Sequence, residues 1–158
     1  MLTDQDLGQS LISFGLDLFL YNLIGVNVLS LNLKAIEKIV NNEKNAGGFS
    51  QLIRDFKKIG VEKYDYLVEV GVYRYYDEAS YIEIQLNGKP KNVSVTESSA
   101  EIKKAVLKAQ AGDITFEEFT ELAGAAGVGY WRTDLLAMQV DYFGQSGEIL
   151  LSEPIPEV

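Results

Sequence analysis

The fold is decided by residues 60–85, GVEKYDYLVEVGVYRYYDEASYIEIQ, because the chain repeats their pattern further on. Residues 127–156, GVGYWRTDLLAMQVDYFGQSGEILLSEPIP, follow the same order of apolar and polar positions at an offset of 67 residues, the difference between Gly60 and Gly127. Identity is low, but the matches fall on apolar positions of the same predicted elements. The shared phase predicts an internal duplication, with two similar modules contributing to one core. Further matched pairs are Tyr75/Tyr142 and Ile82/Ile149.

Each module reads as two helices followed by three strands. Ser98 and Thr115 each stand three residues before a glutamate, which is the spacing of a capping box at a helix start. Gly60 and Gly127 follow the second helix of each module, where a left-handed backbone ends a helix. The predicted helices are 33–43, 49–59, 99–110 and 115–126.

Alternating apolar and polar residues predict the strands, because one face of each strand must be buried. The links DEAS (77–80) and GQSG (144–147) separate the second and third strands of the two modules. Asn87–Gly88 predicts a tight hairpin that leads to a further strand near 91–95. The short connections favour an α+β fold, in which two pseudo-repeated helix-helix-three-strand units pack an antiparallel sheet against helices.

The domain organisation follows from the repeat. Residues 31–158 are predicted to form a single α+β domain with two similar halves, 31–95 and 96–158. Residues 1–30 are predicted to be an apolar appendage, and whether they belong to the natural protein is left open.

An apolar run from Leu11 to Leu33 raises the alternative of a membrane-tethered, phage-related component. Asp17, Asn22 and Asn27 interrupt the run, and an Asp at a helix centre costs about 2.5–3.5 kcal/mol in a membrane. No Lys or Arg precedes it, as a signal peptide would require. The sequence therefore disfavours a membrane span.

Composition excludes several chemistries and disfavours certain partners. The 158 residues include no Cys and no His, so thiolate and imidazole chemistry and Cys/His zinc sites are impossible. The net charge is −9, and residues 109–158 hold nine acidic residues against Arg132 alone. A field of this sign disfavours nucleic acid and anionic lipid as partners. We expect a cytoplasmic protein without cofactor, metal ligand or catalytic residue.

Tyrosine supplies the candidate ligand site. Six of the nine tyrosines fall between Tyr64 and Tyr81, and a tyrosine-rich sheet face can stack sugars, bases or aromatic ligands. Packing at the edge of a core is the alternative role for the same residues. The candidate ligand-binding residues are Tyr73, Tyr75, Tyr76, Tyr81 and Trp131.

Paired carboxylates are the remaining acid–base candidates, for example Asp65 with Glu69 or Asp134 with Asp141. All four occupy outward positions of the predicted strands, where charged side chains ordinarily face solvent. A catalytic role is therefore disfavoured for both pairs.

The chain from about residue 34 onward resembles the YdfO-like family of small uncharacterised bacterial proteins, which often occur near prophages. The stretches that carry the likeness are GVEKYDYLVEVGVYRYYD (60–77) and AGAAGVGYWRTDLLAMQVDYFGQSGEILLSEPIP (123–156). Some members carry the label phage envelope protein. The resemblance implies an α+β domain and a cytoplasmic protein without an assigned activity, and it brings no catalytic residues.

Three functions are compatible with these observations. The leading hypothesis is a non-catalytic binding or interaction protein that associates with another protein or with itself. The alternative is a small-ligand sensor or metal-independent enzyme that uses the tyrosine-lined sheet face. The third is the membrane-tethered component. A concave pocket lined by tyrosine and carboxylate would favour the alternative, whereas a flat exposed patch would favour the interaction protein.

Overall fold

A computed structural model describes residues 31–42 and 49–156. The predicted appendage, residues 1–30, lies outside the described residues. The described chain from Leu31 belongs to one compact unit. The elements in chain order are α1 Leu33–Asn42, α2 Phe49–Lys58, β1 Lys63–Leu67, β2 Val72–Tyr76, β3 Tyr81–Ile84, α3 Ser99–Gln110, α4 Phe116–Ala125, β4 Val128–Asp134, β5 Gln139–Gly144 and β6 Ile149–Pro154.

The six strands form one antiparallel sheet in the order β3-β2-β1-β4-β5-β6. The four described helices contribute to a single core cluster together with one face of this sheet. The predicted α+β fold is therefore confirmed. In the described part of the chain, no helix is long and apolar enough to cross a membrane.

Aromatic side chains join the helices to the sheet. Phe56 of α2 contacts Tyr64 and Tyr75, with ring centroids 5.5 and 5.2 Å apart. Phe119 of α4 contacts Trp131 at 5.3 Å in an edge-on arrangement. Tilted and edge-on pairs of this kind are each worth about 0.5–1.5 kcal/mol beyond the area they bury. The tyrosines of alternate strand positions thus serve as core residues.

The two halves correspond element by element at the offset of 67 residues. Helix α2 shifted by 67 coincides with α4, and the register of β1 with β2 recurs between β4 and β5. The central strands β1 and β4 pair so that Asp65 lies opposite Arg132, its own counterpart in the other half. A pseudo-two-fold axis perpendicular to the sheet therefore passes through this pair. The outer pairing of β5 with β6 departs from the symmetry through a bulge at Tyr142/Phe143.

The helix ends follow the predicted signals. Thr115 and Glu118 form a complete capping box at the start of α4, and the Ser98 side chain accepts a hydrogen bond from the Glu101 backbone at the start of α3. Gly60 and Gly127 have φ values of 85° and 84°, as the helix-ending glycines require.

The strand predicted near 91–95 is wrong, because residues 85–98 form an irregular connection. The Lys91 amide donates to the Val68 carbonyl and the Ser94 amide donates to the Gly124 carbonyl. Backbone amides of the segment thus find hydrogen-bond acceptors at the end of β1 and in α4. It is not part of the hairpin that the Asn87–Gly88 pattern predicted.

Two lysines of this connection fasten it to α4. The Lys89 and Lys91 ammonium nitrogens lie 2.8 and 3.0 Å from the two carboxylate oxygens of Glu117. Hydrogen bonds from Lys89 and then Lys91 hold the pKa of Glu117 below its ordinary value. The stability from this contact is present above the ordinary pKa of glutamate and is lost as the pH falls through the lowered one.

We expect the double substitution Lys89→Met/Lys91→Met to return the pKa of Glu117 toward the ordinary value of glutamate. The measurement is a side-chain carboxyl titration by NMR. The matched control is Glu101, whose pKa is lowered by Lys104 and should not change. An unchanged pKa at Glu117 in the double variant would show that the lysines do not hold its carboxylate in solution.

Candidate functional site

The sheet has a core face and an opposite face, which we call the open face. Leu67, Val72, Tyr130 and Phe143 are apolar residues of the open face, and none of them belongs to the core cluster or packs against it. Their side chains are half-buried. The open face consists of Lys63, Asp65, Leu67, Val72, Arg74, Tyr76, Tyr81, Glu83, Tyr130, Arg132, Asp134, Gln139, Asp141, Phe143, Ile149, Ser152 and Pro154.

The five predicted ligand-binding residues do not share one face. Tyr73, Tyr75 and Trp131 are buried in the core, where each contacts a helix phenylalanine and Tyr73 stacks on Tyr75. Tyr76 and Tyr81 lie opposite each other on the open face, with ring centroids 5.7 Å apart. Tyr81 is 56% exposed, so it is the member of the set most accessible to a partner.

A single line of polar side chains crosses the open face at its centre, and we call it the charge row. Strand register aligns Arg74 with Glu83 and with Asp65, and it aligns Arg132 with Asp65 and with Asp141. One residue comes from each strand, and the charges alternate in sign until the final serine. In order across the sheet the row is Glu83, Arg74, Asp65, Arg132, Asp141 and Ser152.

The centre of the charge row is a bidentate ion pair. The Arg132 Nε and Nη2 atoms donate to the two Asp65 carboxylate oxygens at 2.7 and 2.8 Å. The Tyr76 hydroxyl also donates to Asp65, at 3.3 Å. The Asp65 side chain is almost wholly buried beneath these partners, whereas the Arg132 side chain remains 33% exposed. The guanidinium therefore presents its outer edge to solvent.

This geometry corrects the expectation that Asp65 faces solvent as half of an acid–base pair with Glu69. Asp65 points away from the core, as its strand position predicts, but Arg132 covers it. Glu69 lies beyond the end of β1, in the following turn. The Asp134 carboxylate accepts from two turn amides, and that of Asp141 accepts from Gln139 and Ser152. The carboxylates are thus engaged in structural contacts.

Cations of the open face contact Tyr76 and Tyr81. The Lys63 ammonium lies 4.9 Å from the Tyr76 ring centroid, and the Arg74 guanidinium lies 5.3 Å from that of Tyr81. The hydrogen bond to Asp65 raises the pKa of Arg132 above its ordinary value, and hydrogen bonds to Tyr76 and Glu83 do the same for Arg74. Both guanidinium groups therefore stay charged at every physiological pH.

Two further rows flank the charge row. On one side, the apolar row consists of Val72, Leu67, Tyr130, Phe143 and Ile149, with the Tyr130 and Phe143 rings stacked at 4.6 Å. On the other side, the tyrosine row consists of Tyr81, Tyr76, Lys63, Asp134 and Gln139. The open face thus presents apolar, charged and mixed aromatic strips in parallel.

Two cavities lie away from the open face. A cavity of about 100 Å³ lies between α3 and α4 and is lined by Lys104, Lys108 and Leu122, among others. A second cavity, of about 440 Å³, lies between the 90–94 segment and α4. Neither is lined by a tyrosine. Within residues 31–42 and 49–156, no three acidic side chains converge as a metal site would require.

Comparison with known families identifies the region that carries these features. A family model described as "Protein of unknown function (DUF1398)" matches residues 37–154. No curated protein matches the chain. The matched range contains all six strands and hence the whole open face.

Proposed function

The chain belongs to the DUF1398 family of proteins of unknown function, and from that premise we propose that it is a non-catalytic binding protein whose open face holds a protein partner. The observation that carries the proposal is the charge row with its two flanking rows. A sheet face that combines aromatic, apolar and charged strips offers residue types that are enriched at protein–protein interfaces, namely aromatic residues and Arg.

Residues of the open face supply both the anchors and the specificity that an interface needs. Tyr81 and the stacked pair Tyr130/Phe143 offer apolar contact area on the two sides of the charge row. Arg132 and Arg74 are held in fixed positions by carboxylates, so little side-chain entropy is lost when a partner meets them. The alternating charges select a partner with the opposite alternation.

A small-ligand sensor is the second candidate, and the observation that favours it is the pair Tyr76 and Tyr81 with Lys63 and Arg74 beside their rings. Such a group would stack a planar anionic molecule. A native mass spectrum of the protein from its host would then show an added non-protein mass, and Tyr81→Ala would remove it. A spectrum without added mass at wild-type Tyr81 would count against this candidate.

We also propose a more specific family relationship and an evolutionary origin for the chain. We propose that it is a YdfO-like protein of prophage-associated origin, and that its halves arose by duplication. The C-terminal stretch YFGQSGEILLSEPIP supports the first, and the recurrence of α2 and α4 at the same offset supports the second. A family member with a single helix-helix-three-strand unit that assembles as a dimer around an Asp–Arg pair would support the duplication strongly. A cytoplasmic location is proposed on the same resemblance.

Hydroxyl-radical footprinting tests the proposed function. Tyr81 on the open face and Leu107 on α3 are matched in exposure, at 56% and 51%. We expect oxidation of Tyr81 to fall severalfold when the protein is labelled inside its host cells instead of dilute and purified, while oxidation of Leu107 stays the same. Equal labelling of Tyr81 in the two conditions, with the purified protein diluted until it sediments as a monomer, would contradict a protein partner at the open face.

A further inference from the structure

We propose that the partner of the open face is a second copy of this chain, packed face to face around a two-fold axis that runs parallel to the strands. The inference rests on the proposed function, because it takes the open face to be the binding surface. Charge complementarity within the open face is the observation that favours a second copy over another protein.

The charge row is antisymmetric about the pseudo-two-fold axis of the chain. Arg74 and its counterpart Asp141 carry opposite charges at equal distances from the centre, and so do Asp65 and Arg132. A rotation about an axis parallel to the strands places β2 of one copy over β5 of the other. Arg74 then meets Asp141 of the second copy on both sides of the axis, while Asp65 stays covered by Arg132 of its own chain.

The flanking rows match under the same rotation. In the tyrosine row, Lys63 of β1 lies opposite Asp134 of β4 and would meet Asp134 of the second copy. In the apolar row, Leu67 lies opposite Tyr130 and would meet Tyr130 of the second copy. The apolar strips therefore cover each other, while Lys63 meets Asp134 of the second copy and Arg74 meets Asp141.

The other face-to-face arrangement fails on the same residues. A two-fold axis perpendicular to the strands would place Arg74 on Arg74 and Asp141 on Asp141 of the second copy. Like charges placed directly opposite repel each other, which disfavours this arrangement. The charge row thus specifies the orientation, and the product is an aligned sandwich of two sheets about 10 Å apart, the ordinary spacing for such packing.

Complementary charge reversals in the full chain test the inference by sedimentation velocity. We expect a dimer for the wild type and a rise of about a hundredfold or more in Kd for Arg74→Glu and for Asp141→Arg, because each creates two like-charge contacts. An equimolar mixture of the two variants should restore the dimer, since each supplies the charge that the other lacks. Arg54→Glu on the exposed surface of α2 is the matched control and should leave Kd unchanged.

Restoration in the mixture also shows that both variants are folded. If either variant lacks cooperative unfolding, Arg74→Cys and Asp141→Cys provide the second test, because the chain has no cysteine of its own. A short bismaleimide should join Cys at 74 to Cys at 141 of the other copy, and should join neither position to itself.

Three results would overturn the inference: a wild type that stays monomeric, a dimer that both reversals leave intact, or folded variants whose mixture does not associate. If the wild type is monomeric but Tyr81 is protected in cells, the partner is not a second copy, and the proposed function still stands. If the wild type is monomeric and Tyr81 is not protected in cells, both the dimer and the proposed function are wrong.

Discussion

Arg132→Ala will lower the free energy of unfolding by roughly 3 kcal/mol, near the lower end of the range for breaking a buried ion pair. The reason is the burial of Asp65, which is only 3% exposed and would lose both charge-assisted hydrogen bonds. The vacated space lets water approach the carboxylate, and this keeps the loss from being larger. Chemical denaturation followed by circular dichroism measures the change.

Two comparisons separate the buried pair from an ordinary surface pair. Asp65→Asn should cost less, about 1–2 kcal/mol, because Arg132 is partly exposed and can hydrate. Lys104→Ala, which breaks the exposed pair with Glu101, should cost no more than about 1 kcal/mol. If Arg132→Ala proves as mild as Lys104→Ala, the charge row is not anchored as the structure indicates.

Gly127→Ala is expected to destabilise the protein by about 3–4 kcal/mol. Gly127 has a φ of 84°, where a side chain costs about 1–2 kcal/mol. An added Cβ would lie 2.5 Å from the Thr96 carbonyl oxygen and 2.8 Å from the Glu97 Cα atom. Because both neighbours are backbone atoms, relief requires a main-chain shift, and overpacking of this kind costs typically 1–3 kcal/mol more.

The pseudo-symmetry supplies a matched control for Gly127. Gly60 occupies the equivalent position with a φ of 85°, yet an added Cβ there meets nothing within 4 Å. Gly60→Ala should therefore cost only the backbone contribution of about 1–2 kcal/mol. Thermal and urea unfolding of both variants measures the difference. Equal losses of unfolding free energy at the two positions would mean that the close approach of Thr96 and Glu97 to Gly127 adds no cost.

Local signals in the sequence predict the elements well, because capping residues, glycine and alternation act within a few positions. The capping box of Thr115, the glycines at 60 and 127 and the DEAS link all lie where the pattern placed them. The connection at 85–98 does not, because its backbone partners, Val68 and Gly124, come from elements distant in sequence. Tertiary contacts overrode the local hairpin signal there.

The same distinction explains the candidate site. Tyr73 and Tyr75 share a strand phase that Tyr76 does not, so alternation alone could have separated the core tyrosines from those of the open face. The ion pair of Asp65 with Arg132 required knowing that β1 and β4 are neighbours. The repeat itself offered one signal for the ion pair. Asp65 and Arg132 occupy equivalent positions of the two halves, and equivalent residues lie opposite each other at the pseudo-two-fold axis when the two central strands pair antiparallel.

Photo-cross-linking in host cells tests most directly that the open face is the binding surface. A benzophenone amino acid replaces Tyr81 in one variant and Leu107 in the other. We expect defined cross-links to protein from position 81, including a second copy of the chain, and none from position 107. Cross-links from position 107 with none from position 81 would place the binding surface on the helical side and contradict the account.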